Sequence, residues 1–152
     1  MTAAAVTLAA LAIGAPAAPP AAGAPFATIV IPAIELHARV REGVTADVLD
    51  RGPGHYPGSS VPGRGGTIGI AGHRVTHSRP FFLLNTLRRG NRIVLTLKSH
   101  RYVYRVVAMR VVEPTDVWPV RVQRWHETLV LTACHPPRTD VRRLVVFARR
   151  VT

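Results

Sequence analysis

The chain holds one cysteine, Cys134, inside the stretch LTACHPPRTDVRRLVVF. A lone thiol cannot close an internal disulfide, so it is either a buried structural group or one kept for its chemistry. A free thiol has a pKa of about 8.5 and is mostly protonated near neutral pH, so a nucleophilic cysteine needs a base or cationic neighbours. Seven histidines are available as the base: His37, His55, His73, His77, His100, His126 and His135. His135 directly follows Cys134, and successive side chains of an extended chain face opposite ways, so it is a poor partner. His73 ends the run TIGIAGH, where Ala71 and Gly72 leave space around the imidazole. A catalytic histidine at the open end of a strand is presented in this way, although a single histidine there is also a common structural or surface group.

Arginine beside a cysteine nucleophile has a physical task. Attack on an amide carbonyl builds an oxyanion, which a fixed guanidinium stabilises by charge-assisted hydrogen bonds. Arg142 and Arg143 follow Cys134 closely enough for a hairpin to return one of them to its side. Strand alternation puts Cys134 with Thr132 and Val130 on one face, and Arg143 with Val145 and Phe147 on one face of the next strand. One arginine can therefore stand beside the thiol while its neighbour points away. The bland alternative is two solvated charges on an edge strand. The segment HRVTH spaces His73 and His77 four apart, as zinc-binding helices do. Arg74 replaces the glutamate of the HExxH pattern, and Val75 and Thr76 favour strand or loop, so no metal is expected. The eight carboxylates are scattered, with no dense calcium cage.

These groups need a scaffold, and from Phe26 onward the signals are mostly β. FATIVIPAIEL, HARVREG, GTIGIAGH, RIVLTL, YVYRVVAMRVV, TLVLTACH and RRLVVFARRV are short runs rich in branched residues. TADVLDRGPG reads as one or two helical turns between Thr45 as N-cap and Gly52 as terminator. RPFFLLNTLRRGN reads as a short helix with Phe81, Leu84 and Leu87 on one face and Gly90 at its end. Seven or eight strands with two or three short helices predict a mainly β fold, a closed or nearly closed barrel.

At 152 residues the chain suits one domain. Its formal net charge of +12 is almost all arginine, with Lys98 the single lysine, and such charge draws anionic partners. Residues 1–25 stand apart. The apolar run Ala3 to Ile13 is shorter than the roughly 20 residues that span a bilayer, and an Ala/Pro-rich linker follows. A signal segment, the remnant of a membrane anchor, or a plain linker each fit it, and export or anchoring is the favoured expectation. The catalytic domain is then residues 26–152.

Taken together, Ala27 to Val151 resembles a sortase, a cysteine transpeptidase of Gram-positive cell surfaces. IAGHR resembles the segment of the family's catalytic histidine, on His73. LTAC resembles the TLxTC signature, with the nucleophile on Cys134. RRLVVFA resembles the strand of the essential arginine, and the one residue between that arginine and the apolar run selects Arg143. RGPGHYPGSSVPGRGGTIGIAGHR and PFFLLNTLRRGNRIVLTL resemble the class E type of high-GC bacteria. One position departs: the threonine usual before the cysteine is Ala133 here, with Thr132 one place earlier. Thr132, Ala133 and His77 are expected to border the substrate.

The resemblance implies a sortase-type barrel and a cofactor-free reaction. Cys134 attacks the Thr–Gly bond of an LPxTG or LAxTG sorting signal on a surface protein or pilin. His73 protonates the leaving amine, and Arg143 steadies the oxyanion. A thioester then passes to an amine, from a lipid-linked peptidoglycan precursor or a pilin lysine, at the extracytoplasmic membrane surface. One rival is a cysteine peptidase or peptidoglycan hydrolase, which commonly needs a third polar group to orient its histidine. No Asn or Asp stands out for that role, since Asn85 and Asn91 lie in or beside the expected short helix. A basic barrel binding nucleic acid or another polyanion is disfavoured, because such sites interleave aromatics with arginine, and Tyr102 and Tyr104 are the only strand pair.

Overall fold

The computed structural model describes residues 17–121 and 126–151. Its strands are β1 (Pro25–Ile31), β2 (Leu36–Glu42), β3 (Gly54–His55), β4 (Thr67–Ala71), β5 (Arg92–Leu97), β6 (His100–Val112), β7 (Thr128–His135) and β8 (Arg142–Arg150). They close into one barrel in the order β1-β2-β3-β4-β7-β8-β6-β5, which agrees with the mainly β expectation. Alternation decides what faces inward. Ile29 and Ile31 of β1, Leu129, Leu131 and Ala133 of β7, and Leu144, Val146 and Ala148 of β8 all enter one core. Each fully buried Leu, Ile or Val contributes about 1.5–3 kcal/mol relative to exposure. The apolar run at Ala3–Ile13 lies outside the described residues. Among those described, no helix is long and apolar enough to cross a membrane.

The helices are slighter than the sequence suggests. Helix α1 is the single turn Ala46–Leu49. Thr45 precedes it, but its hydroxyl donates to Asp47 Oδ1 at 2.6 Å and caps no backbone amide. The helix expected over residues 79–91 is a run of turns with a 3-10 segment at Leu84–Thr86. Phe81, Leu84 and Leu87 do share a buried face. Their spacing of three fits the 3-10 period as well as the α period, and the Phe81 amide is drawn out of helical pairing to His73 O at 3.0 Å. Strand β3 is only two residues long and carries no sequence signal. It pairs parallel with β2 and antiparallel with β4. Gly54 allows that approach, because a Cβ there would collide with the carbonyl oxygen of Gly43.

Two pairings set the functional end of the barrel. β4 and β7 run parallel, with Ala71 opposite Thr132. β7 and β8 run antiparallel, with Cys134 opposite Arg143 and His135 opposite Arg142. Beneath the opposite loops, Glu127 accepts hydrogen bonds from Tyr104 Oη at 2.6 Å, Arg150 Nη1 at 3.1 Å, and the Gly63 and Gly65 amides at 2.9 and 3.2 Å.

Candidate active site

Parallel neighbours advance together, so residues equally far past a matched pair emerge side by side. Cys134 and His73 are each two residues beyond the Ala71–Thr132 match, and the ladder continues to Gly72, whose amide donates to Thr132 O at 3.0 Å. The thiol and the imidazole therefore leave the same rim from adjacent strands. Arg143 comes to Cys134 from the other side, since directly opposed residues of an antiparallel pair share a face. Arg142 points away and meets Glu113 Oε1 at 3.5 Å, both side chains exposed. Cys134, His73 and Arg143 line one cavity of about 360 Å³.

His73 is oriented by a residue that sequence reasoning did not single out. Asp50, the C-cap of α1, places Oδ1 at 3.0 Å from His73 Nε2 and 3.3 Å from His77 Nδ1. The two imidazoles stack with centroids 5.3 Å apart. An N–H at His73 Nε2 donating to this carboxylate fixes the tautomer and leaves Nδ1 as the atom free for proton transfer. The third polar group thought to be lacking is thus present. His77 reaches it through a left-handed turn at φ 53°, with residues 74–78 in bends and turn rather than helix. Gly72 does not clear space for the imidazole as expected. The missing Cβ is instead filled by the Phe81 ring, whose Cδ2 would lie 2.6 Å from an added methyl.

Behind the thiol lies a second unanticipated residue. Arg74 is 3% exposed. Its Nη1 donates to Cys134 O at 3.3 Å and stands 3.4 Å from His135 Nδ1, and its Nη2 donates to Asn85 Oδ1 at 3.0 Å. Burial lowers the guanidinium pKa from its ordinary value, and proximity to Cys134 works the other way. Arg143 is anchored differently: its Nη1 donates to the carbonyls of Asp140 and Arg142 at 3.0 and 3.2 Å. Of the remaining histidines, His55 is fully engaged in the barrel wall, 2.8 Å from Glu42 Oε2 and stacked on Phe26.

The cavity continues past the thiol. Tyr56, Thr132 and Arg143 also border a space of about 120 Å³ walled by Val112, Pro114, Val117, Pro119, Val120 and Val145. On the far side of Cys134 and His73, a space of about 270 Å³ is lined by Arg74, Val75, Thr76, Arg138, Thr139 and Asp140. Thr132 borders the groove, but its hydroxyl is already bonded to Tyr56 Oη at 2.8 Å. Ala133 puts its methyl into the core, so it offers the groove backbone only. His77 stands on the Asp50 side of His73, half-exposed. A thiol, an oriented imidazole and a guanidinium on one open groove can perform acyl transfer from an extended peptide.

Comparison with known proteins agrees with this chemistry. The sortase domain family model matches residues 29–151. Sortase D of Bacillus subtilis strain 168 is 31% identical over 136 residues, which cover 88% of this chain and 67% of that protein. Sortase SrtE1 of Streptomyces coelicolor is 32% identical over 144 residues, covering 85% of this chain and 41% of the relative, so the chain spans well under half of that protein's length. The solved structure of Streptomyces coelicolor sortase E1, with a tripeptide in its active site, superposes with a TM-score of 0.78 at 30% identity. That match covers 86% of this chain and 90% of the solved one. A closed eight-stranded barrel carrying a rim thiol, matched by this family over nearly all its length, belongs to the sortases, and the chain is a cysteine transpeptidase of that family.

Proposed function

We propose that Cys134 attacks the Thr–Gly amide of a sorting signal of the LPxTG or LAxTG kind. The observation that carries this reading is the continuity of two cavities through Tyr56, Thr132 and Arg143. Its apolar end suits the leading Leu and the Pro or Ala of such a peptide, and its polar end holds the thiol. In the first step the thiol proton passes to His73 Nδ1, Sγ bonds to the threonine carbonyl carbon, and Arg143 stabilises the oxyanion. The C–N bond then breaks as His73 Nδ1 gives its proton to the leaving glycine amine. The resulting thioester meets an acceptor amine, His73 takes the proton back, and a new amide forms. Sortases act on surface proteins or pilins at the bacterial cell surface. In this chain the acceptor is read as a lipid-linked peptidoglycan precursor or a pilin lysine. Residues 1–25 are read as the segment that brings the enzyme to the outer face of the membrane.

The test is incubation with a sorting peptide plus hydroxylamine. Formation of a hydroxamate at the threonine carboxyl supports transpeptidation. Cleavage indifferent to added amine refutes it in favour of a peptidase, a distinction that matters because Asp50 supplies the orienting carboxylate a peptidase would also use. Cys134→Ala should form no acyl-enzyme while keeping the circular dichroism of the folded barrel.

A further inference from the structure

The turn that carries His73 does more than orient it. His73 Nε2 and His77 Nδ1 converge on the same carboxylate of Asp50, at 3.0 and 3.3 Å from one oxygen, and all three donor atoms lie within 4.8 Å of one another. Metal bonds of about 2.0–2.2 Å put neighbouring ligand atoms of a tetrahedral zinc site about 3.3–3.6 Å apart. The two nitrogen–oxygen spacings are therefore within a few tenths of an ångström of a coordination edge, and the half-exposed His77 ring can turn to close the third. Two imidazoles and a carboxylate suit zinc and its neighbours in the first transition row. In the sequence, Arg74 in place of the HExxH glutamate and the strand or loop preference of Val75 and Thr76 argued against such a site. The turn supplies the convergence that a helix would otherwise provide, and the third ligand comes from α1, far away in sequence.

We propose that Asp50, His73 and His77 bind a divalent transition-metal ion of the zinc class, and that its binding reversibly silences the transpeptidase. The silencing part rests on the reading of His73 as the proton carrier. A metal at Nε2 takes that nitrogen's lone pair and confines the ring's one proton to Nδ1. The imidazole can then accept no second proton, so the imidazolium needed to protonate the leaving amine cannot form. The side chains are 24% exposed at His73, 49% at His77 and 39% at Asp50, so the ion has access from solvent and room for a water as fourth ligand.

The experiment titrates the folded protein with Zn²⁺ by calorimetry and follows transpeptidation of a sorting peptide in parallel, each variant scaled to its own metal-free rate. One Zn²⁺ per chain is expected for the wild type and for Cys134→Ala. His77→Ala and Asp50→Asn should each bind at least about tenfold more weakly, since even outer partners of metal ligands are worth 10–100-fold. The zinc concentration that halves the rate should rise by the same factor in those two variants, and a chelator should restore activity. Co²⁺ bound in place of zinc should show no thiolate charge-transfer band. Binding that survives His77→Ala unchanged, or that disappears in Cys134→Ala, would overturn the site. Binding with the expected ligand dependence but no loss of activity would leave the site standing and overturn the role given to His73.

Discussion

Gly72 joins the barrel to the active site through a single missing methyl. An alanine Cβ there would lie 2.6 Å from Cδ2, 2.9 Å from Cε2 and 3.0 Å from Cγ of Phe81. Ordinary carbon contacts fall at about 3.5–4.0 Å, so the overlap is close to 1 Å and spreads across one edge of the ring. The ring cannot yield easily: Phe81 is fully buried and its amide is held by His73 O. Overpacking of this kind costs about 1–3 kcal/mol, and the upper half of that range is expected for Gly72→Ala. Phe81→Ala alone should cost about 3–5 kcal/mol. With the ring gone, the added methyl meets open space, and Gly→Ala gains about 0.4–1 kcal/mol from the stiffer unfolded chain. The double variant should therefore be about 2–4 kcal/mol more stable than the sum of the single changes. Urea unfolding of the four proteins, followed by circular dichroism, measures this coupling. Costs that add to within about 0.5 kcal/mol would refute the claim that Gly72 is required by the Phe81 ring.

Other outcomes follow from the same contacts. Arg143→Ala should lower the transpeptidation rate far more than Arg142→Ala, because the β7–β8 register turns only Arg143 toward Cys134; equal losses in a peptide assay would mean the arginine role is misassigned. Asn85→Ala strands Arg74 Nη2 inside the protein and should cost about 1–3 kcal/mol, whereas Arg74→Met removes the buried charge with its shape and should stay close to neutral, as thermal melts will report. Tyr104→Phe gives up a bond to a carboxylate and should cost about 1.5–3 kcal/mol at neutral pH. Burial first, then Glu127, raises the Tyr104 pKa above its ordinary value of 10.0. The unfolded chain thus loses that proton before the folded one, wild-type stability falls as pH rises past about 10, and the variant should lack that part of the slope in urea unfolding.

What could be read from the sequence divides by range. That one arginine of the pair stands beside Cys134 and the other points away was legible because alternation within a hairpin is local, whereas the choice of Arg143 rested on the resemblance to the sortase strand and agrees with the register. Seven strands were legible as short runs of branched residues, enough to expect a closed or nearly closed barrel of seven or eight strands, while the two-residue β3 is too short to carry a period. Asp50 was not legible, since it lies 23 residues before His73 and meets it only when α1 folds against the rim. The burial of Arg74 was not legible because nothing in a turn sequence signals it; its place depends on Asn85 and on the end of β7. Phe81, Leu84 and Leu87 showed their common face but not the helix type, since a spacing of three does not separate α from 3-10. The Tyr56–Thr132 bond joins residues 76 apart and had no local signal.

The parallel match of β4 with β7, and the docking of β8 against it, have a temporal consequence. Sulfur, imidazole and guanidinium are contributed by three strands from the middle and end of the polypeptide, and β8 holds its place only between β7 and β6. No local fragment of the chain contains a working set of groups. The set is therefore complete only once β4, β7 and β8 have docked, so these groups come together with the tertiary fold and not before it.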